Sequence, residues 1–363
     1  MKITFVLPHA GLAGGIKVVA IYADRLQKRG HDVVVVSTPL PPLSLKHKIK
    51  TLLREGFWPK QLVEPSHFHG LDVDHRIIEK CRPIIDDDVP DADVVIATWW
   101  ETAEWVNLLS DSKGRKVYFI QGYDVRADQP IARVQQTYHY PFIKIAVSNW
   151  LRYTIARDCG DKNISLVSNS VDTTFFSSPE KSKQLRPTIG FVYSPVHCKG
   201  SDIVIEAIHA VRRILPNMRI VVFGVRDPLA EFPLPSHTEF YLRPTQEKIR
   251  DIYMCCDFWL FGSREEGFGL PVLEAMACRT PVIATRAGAA PELLSQGGGI
   301  LLTDKSPATM AQAIIEGFNM SETQWRTMSD CARQTVTHYS WDDATTLFEQ
   351  ALTEPKPYAS NSR

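Results

Sequence analysis

Glu266 and Glu274, separated by seven residues, stand on either side of Gly267-Phe268-Gly269-Leu270. An ionised carboxylate only accepts hydrogen bonds, so neither glutamate suits a phosphate, but each can take two sugar hydroxyls as donors. Between them a glycine-rich turn runs into Pro271, and proline is favoured where a helix begins, because its missing N–H would have had no partner there. Backbone N–H groups around Gly269, Leu270 and Val272 would then face an anion, and the helix dipole adds partial positive charge. A phosphate centre with hydroxyls on both sides is the outline of a sugar nucleotide. The plainer alternative is a buried strand–helix–strand unit whose glutamates are solvated or cap the helix.

The elements that must hold these residues are readable around them. Phe258-Trp259-Leu260-Phe261 is an apolar run suited to a buried strand, residues 262–269 are a loop, a helix runs from Pro271 to Cys278, and 281–285 is the next strand. In such a unit the ligand lies beyond the carboxyl ends of the strands. The chain opens in the same way. An apolar strand over 3–7 leads into Pro8-His9-Ala10-Gly11-Leu12-Ala13-Gly14-Gly15, then a helix over 16–29 and a strand over 33–37. The turn is not GxGxxG and no acid ends the second strand, which argues against a nicotinamide cofactor. Gly14 and Gly15 would let backbone approach a ligand closely, or simply make a tight turn. Repeated strand–helix units in both halves give an α/β protein with two Rossmann-like doubly wound domains facing across a cleft.

The run SREEGFGLPVLEAMACRTPVIAT closely resembles the donor-binding motif of retaining GT-B glycosyltransferases of family 4, the group 1 family. The resemblance is strong over 188–345 and patchy over 1–170. It implies that Glu266 touches the transferred sugar, that Glu274 holds the ribose, and that Gly267, Phe268, Gly269 and Leu270 line the donor. It also implies that Gly14 and Gly15 lie by the donor's phosphate and sugar, and that the base lies near Arg243. Family members neutralise the donor diphosphate with an arginine and a Lys-Gly pair. Lys199-Gly200 matches the pair, while Tyr193 or Ser194 stands where the arginine belongs; Lys17, Arg243 and Arg264 are candidate replacements. Ser168-Asn169-Ser170-Val171-Asp172 resembles the family's Pro-Asn-Gly-Val-Asp turn at the exit of the first domain. The domains implied are an acceptor-binding one over 1–172, completed by a helix over 341–354, a linker over 173–187, a nucleotide-sugar domain over 188–340 and a flexible tail over 355–363. Many relatives carry a histidine where this chain has Gln121-Gly122-Tyr123-Asp124, which makes Gln121, Tyr123 and Asp124 the candidates for acceptor or sugar contacts. Same-face attack on the sugar, with no cofactor and no metal, is the implied chemistry. An epimerase of the same architecture and a non-catalytic sugar-nucleotide binder are the rival readings.

The bulk properties fit. A length of 363 residues suggests two domains, and 44% hydrophobic with 23% charged residues is ordinary for a globular chain. A formal net charge of zero gives no steering toward nucleic acid. Seven scattered cysteines without a CxxC pair suit reduced thiols in the cytoplasm. The chain shows no signal-peptide pattern and no apolar run long enough to span a bilayer. Residues 43–58 stand apart: Leu45, Ile49, Leu52 and Leu53 share a helical face, Lys46, Lys48, Lys50 and Arg54 fall mostly elsewhere, and Phe57-Trp58 follow. Such a helix either lies on an anionic membrane, which would place the chain at the inner membrane face, or packs on the first domain. Asp72-Val73-Asp74 and Asp91-Ala92-Asp93 have the spacing of a metal triplet, but their loop contexts favour solvated acids.

Overall fold

The computed structural model describes residues 1–40, 45–55, 57–58 and 66–353. The tail over 355–363, and residues 43, 44 and 56 of the basic segment, lie outside the described residues. By internal packing the chain forms two compact units. The first is residues 1–145, 158–164 and 349–363, and the second is residues 146–157 and 165–348.

Each unit is built on one sheet. In the first sheet β1 (Lys2–Leu7), β2 (Asp32–Ser37), β3 (Asp74–Ile77), β4 (Val94–Ala97), β5 (Arg115–Ile120), β6 (Ile143–Ala146) and β7 (Ile164–Leu166) take the order β3-β2-β1-β4-β5-β6-β7. The second sheet holds β8 (Thr188–Tyr193), β9 (Arg219–Gly224), β10 (Thr238–Leu242), β11 (Phe258–Phe261), β12 (Val282–Ala284) and β13 (Gly299–Leu301), in the order β10-β9-β8-β11-β12-β13. All neighbours in the second sheet are parallel. Counted from its own first strand, that is the doubly wound order 3-2-1-4-5-6. Central strands such as β8 and β11 are buried along nearly their whole length, which is why they read as continuous apolar runs rather than alternating ones.

Two sequence expectations shift. The first helix is Gly14–Lys28, so Gly14 and Gly15 are its opening residues rather than the turn before it. No strand was expected at Asp74–Ile77, yet these residues pair in parallel with Val34 to Ser37. β3 is an edge strand with three of its four residues exposed, so it carries no apolar pattern to betray it. Among the described residues no helix is long and apolar enough to cross a membrane.

Candidate donor site

In a doubly wound sheet the ligand crevice opens where the strand order reverses. In the second unit that point lies between β8 and β11. The loop after β8 carries Lys199 and the loop after β11 carries Glu266. Their side chains meet there, with Lys199 Nζ 2.7 Å from Glu266 Oε2.

Two glycines make that meeting possible. Gly200 takes a left-handed φ of 61°, and a Cβ on it would lie 1.9 Å from the Gly262 carbonyl oxygen. A Cβ on Gly262 would in turn meet the Gly200 carbonyl oxygen at 2.7 Å. With no side chain between them, the 197–200 turn lies directly on the end of β11. Gly200→Ala should therefore combine left-handed strain with a backbone clash, costing about 2 kcal/mol or more and lowering the calorimetric Tm by roughly 5 °C. Gly297→Ala is the control: its φ is 85° but nothing lies within 4 Å of its Cβ, so only the strain, about 1 kcal/mol, should appear.

Arg264 stitches the same two loops. It holds both carboxylate oxygens of Asp202, donates to the His197 carbonyl at 2.9 Å, and its backbone N–H donates to the Cys198 carbonyl at 2.8 Å. The Asp202 carboxylate raises the guanidinium pKa, and Arg264 holds the Asp202 carboxyl below its usual range. Arg264, one of the three candidate replacements for the missing arginine, is thus engaged in bracing the Lys199 turn. Arg243 is exposed at the end of β10, where its Nε donates to the Val225 carbonyl at 3.0 Å and its φ is 47°. Lys17 belongs to the helix of the first unit.

The helix after the glycine loop is Leu270–Ala277, and Gly269 caps it with a left-handed φ of 103°. Pro271 is therefore its second residue, one later than the sequence suggests. The Val272 N–H is also not directed at a ligand, because it bonds back to the Gly269 carbonyl at 2.9 Å. Glu274 is the fifth residue of this helix and is only 7% exposed. Its Oε2 accepts the hydroxyl of Tyr253 at 2.9 Å. Tyr253 is fully buried, with Trp259 edge-on at 4.5 Å between centroids; burial, and then the Glu274 charge, push its phenol pKa well up, so it stays a donor. Gly267 accepts from Ser148 Oγ at 2.6 Å, and Phe268 is buried with its carbonyl bonded to the Ala289 N–H at 2.9 Å. Sequence reasoning missed Tyr253, Asp202 and Ser148, because nothing local marks a residue whose partner is 21, 62 or 119 positions away.

In the first unit, a second cluster gathers at the carboxyl ends of β1, β4 and β5. Gly15 lies beside the Gln121 side chain: a Cβ on it would meet Nε2 at 3.5 Å, an ordinary van der Waals contact. Gln121 Oε1 is buried without a hydrogen-bond partner, a place for a hydroxyl donor. Burial raises the Asp124 carboxyl above its usual range, against the opposing charge of Arg126 at 3.5 Å and a hydrogen bond from Trp99. The Tyr123 hydroxyl donates to Asp158 at 2.6 Å. Both Asp-x-Asp triplets have local partners: Asp74 holds Arg76, Asp91 accepts from Lys113 and Ser112, and Asp93 accepts from the Lys2 N–H. Among the described residues no three His, Cys, Asp or Glu side chains are grouped to hold a metal ion.

The glycosyl transferases group 1 family matches residues 172–334, which contain the whole cluster of Lys199, Glu266 and Glu274. An uncharacterized glycosyltransferase of Methanocaldococcus jannaschii is 31% identical over 157 residues, covering 42% of this chain and 44% of that protein. A D-inositol 3-phosphate glycosyltransferase of Corynebacterium urealyticum is 32% identical over 171 residues, covering 43% of this chain and 40% of the relative. The match thus spans less than half the length of these relatives. Among solved structures, HepE of Anabaena in complex with UDP and glucose has a TM-score of 0.73 at 16% identity, over 98% of this chain and all of that one. The sucrose-phosphate synthase of Thermosynechococcus elongatus also has a TM-score of 0.73, at 15% identity, over 96% of this chain and 98% of its own. Two Rossmann-like units and these likenesses agree on the fold, which is GT-B, and residues 172–334 match the glycosyl transferases group 1 family.

Proposed function

We propose that the chain is a retaining glycosyltransferase of family 4, moving a hexose-type sugar from a nucleotide diphosphate donor to a hydroxyl of a glycan, lipid-linked or small-molecule acceptor. The observation that carries this reading is the Lys199–Glu266 pair, 2.7 Å apart at the switch point of the second sheet. Lys199 exchanges Glu266 for the donor diphosphate, and the start of the helix Leu270–Ala277 adds its dipole. Glu274, oriented by Tyr253, accepts the ribose hydroxyls. Glu266 then turns to the transferred sugar. That HepE of Anabaena was solved with UDP-glucose supports this class of donor.

The acceptor hydroxyl attacks the anomeric carbon on the face the leaving group departs from. The bond from that carbon to the phosphate oxygen breaks, the bond to the acceptor oxygen forms, and the acceptor's proton passes to the released phosphate. Negative charge grows on the diphosphate, which Lys199 stabilises. The lysine supplies the neutralising charge, so the reaction proceeds without a divalent ion. Gln121, Tyr123 and Asp124 contact the acceptor or the sugar.

Slow hydrolysis of the donor without acceptor tests the reading. With an α-linked nucleotide sugar and a chelator present, proton NMR should show free nucleotide diphosphate and the α-anomer appearing first. Release of the β-anomer would contradict retention. A new nucleotide sugar in place of hydrolysis would favour an epimerase, and binding without any turnover would favour a pure binder.

A further inference from the structure

The helix Leu45–Glu55 keeps a strip of large apolar side chains in solvent. Leu45, Ile49, Leu52 and Leu53 are between 40% and 82% exposed, and Phe57 and Trp58 just beyond it are half exposed. Scattered apolar residues on a surface are ordinary, but four on one helical strip, with two exposed aromatics just beyond it, are the pattern of a contact site.

The charges around the strip identify what covers it. The chain as a whole is neutral, yet residues 45–58 hold Lys46, Lys48, Lys50 and Arg54 against the single acid Glu55. At 100° per residue, Lys48 falls on one side of the apolar strip, while Lys46 and Lys50 fall at positions on the other. Lysine is depleted from protein–protein interfaces, whose centres exclude charge. At a bilayer surface the same arrangement is favourable: the apolar strip enters the boundary between headgroups and acyl chains, and lysines extend to lipid phosphates. Lys48 Nζ lies 6.0 Å from the centre of the Trp58 ring, so an indole, a side chain suited to the membrane interface, stands beside one of these cations.

We propose that the helix Leu45–Glu55, with Phe57 and Trp58, docks the chain on an anionic phospholipid membrane. This surface is independent of the donor site and stands whether or not the transfer reaction does.

Flotation of the full chain with phosphatidylcholine vesicles, alone and mixed with phosphatidylglycerol, is the test. Two variants accompany the wild type: one with Lys46, Lys48, Lys50 and Arg54 changed to Gln, and one with Leu53→Ser and Trp58→Ser. Wild type should float with the mixed vesicles, weakly or not at all with the neutral ones, and less in high salt. Each replaced cation should weaken partitioning by about fivefold, and all four by on the order of a hundredfold or more. The apolar variant should lose flotation in both low and high salt. Leu53 and Trp58 are exposed, and unchanged circular dichroism and Tm would confirm that both variants fold. Wild type failing to float with the mixed vesicles would overturn the proposal, as would a charge variant that floats like wild type. So would self-association of wild type that the apolar variant abolishes while vesicle binding is absent, which would make a second copy of the chain the occupant.

Discussion

Lys199→Ala is expected to lower kcat by about a hundredfold while changing the Tm by no more than roughly a degree or two. The two halves of this result have different physical causes. In catalysis, charge accumulates on the leaving diphosphate, and a single fixed donor aimed at such charge is worth about 3 kcal/mol. The family's second cation is absent from this chain, with Tyr193 and Ser194 standing in its place. Arg264, a candidate replacement in the loop after β11, holds Asp202 and the His197 carbonyl. Under the proposed function, Lys199 would carry more of the transition state than its counterpart in a two-cation site. For stability, Lys199 is 43% exposed and its ion pair with Glu266 lies at the surface, where such pairs contribute about 0–1 kcal/mol. Steady-state kinetics and calorimetry on the same preparation check both halves. A kcat within threefold of wild type would mean that another cation supports the diphosphate.

Glu274→Gln should raise KM for the donor by about ten- to a hundredfold and change kcat less. A hydrogen bond to a charged group is worth about 1.5–3 kcal/mol, and under the proposed function the ribose would be bound alike in ground and transition states. The amide oxygen of Gln can still accept the Tyr253 hydroxyl, but its NH2 then offers donors to hydroxyls that need an acceptor. Tyr253→Phe separates positioning from contact. Tyr253 is fully buried and donates its hydroxyl to Glu274, so its loss should raise donor KM by severalfold and destabilise the chain by about 1–2 kcal/mol, because a buried carboxylate loses a donor. Donor titrations of the two variants should order as wild type, Tyr253→Phe, Glu274→Gln. The reverse order would place the ribose elsewhere.

What the sequence revealed and what it hid follow from the range of the interactions. The strand–loop–helix–strand unit around Glu266 was legible because burial on both faces writes a continuous apolar run over 258–261 and the turn demands glycines. The ends of elements were less legible. Helix Leu270–Ala277 starts one residue before Pro271, which removes the Val272 N–H from the anion site and sets Glu274 in the second turn. β3 was invisible because an exposed edge strand of sequence Asp-His-Arg-Ile needs no apolar face. The pairing of Lys199 with Glu266 spans 67 positions and depends on two backbones touching at Gly200 and Gly262. Each glycine reads as an ordinary loop residue on its own, and only the fold shows that they need each other. The same holds for Arg264, which the sequence offered as a phosphate ligand and the structure shows bracing the loop that carries Lys199.

The most direct test of the account is thermal unfolding of wild type, Glu274→Gln and Lys199→Ala with a panel of nucleotide sugars and a chelator. A donor at a hundred times its dissociation constant should stabilise wild type by about 2.7 kcal/mol. The account predicts that one nucleotide sugar raises the wild-type Tm and that the two variants respond much less at the same concentration. Equal stabilisation of all three proteins, or none of wild type by any donor, would contradict a sugar-nucleotide site built on Lys199, Glu266 and Glu274.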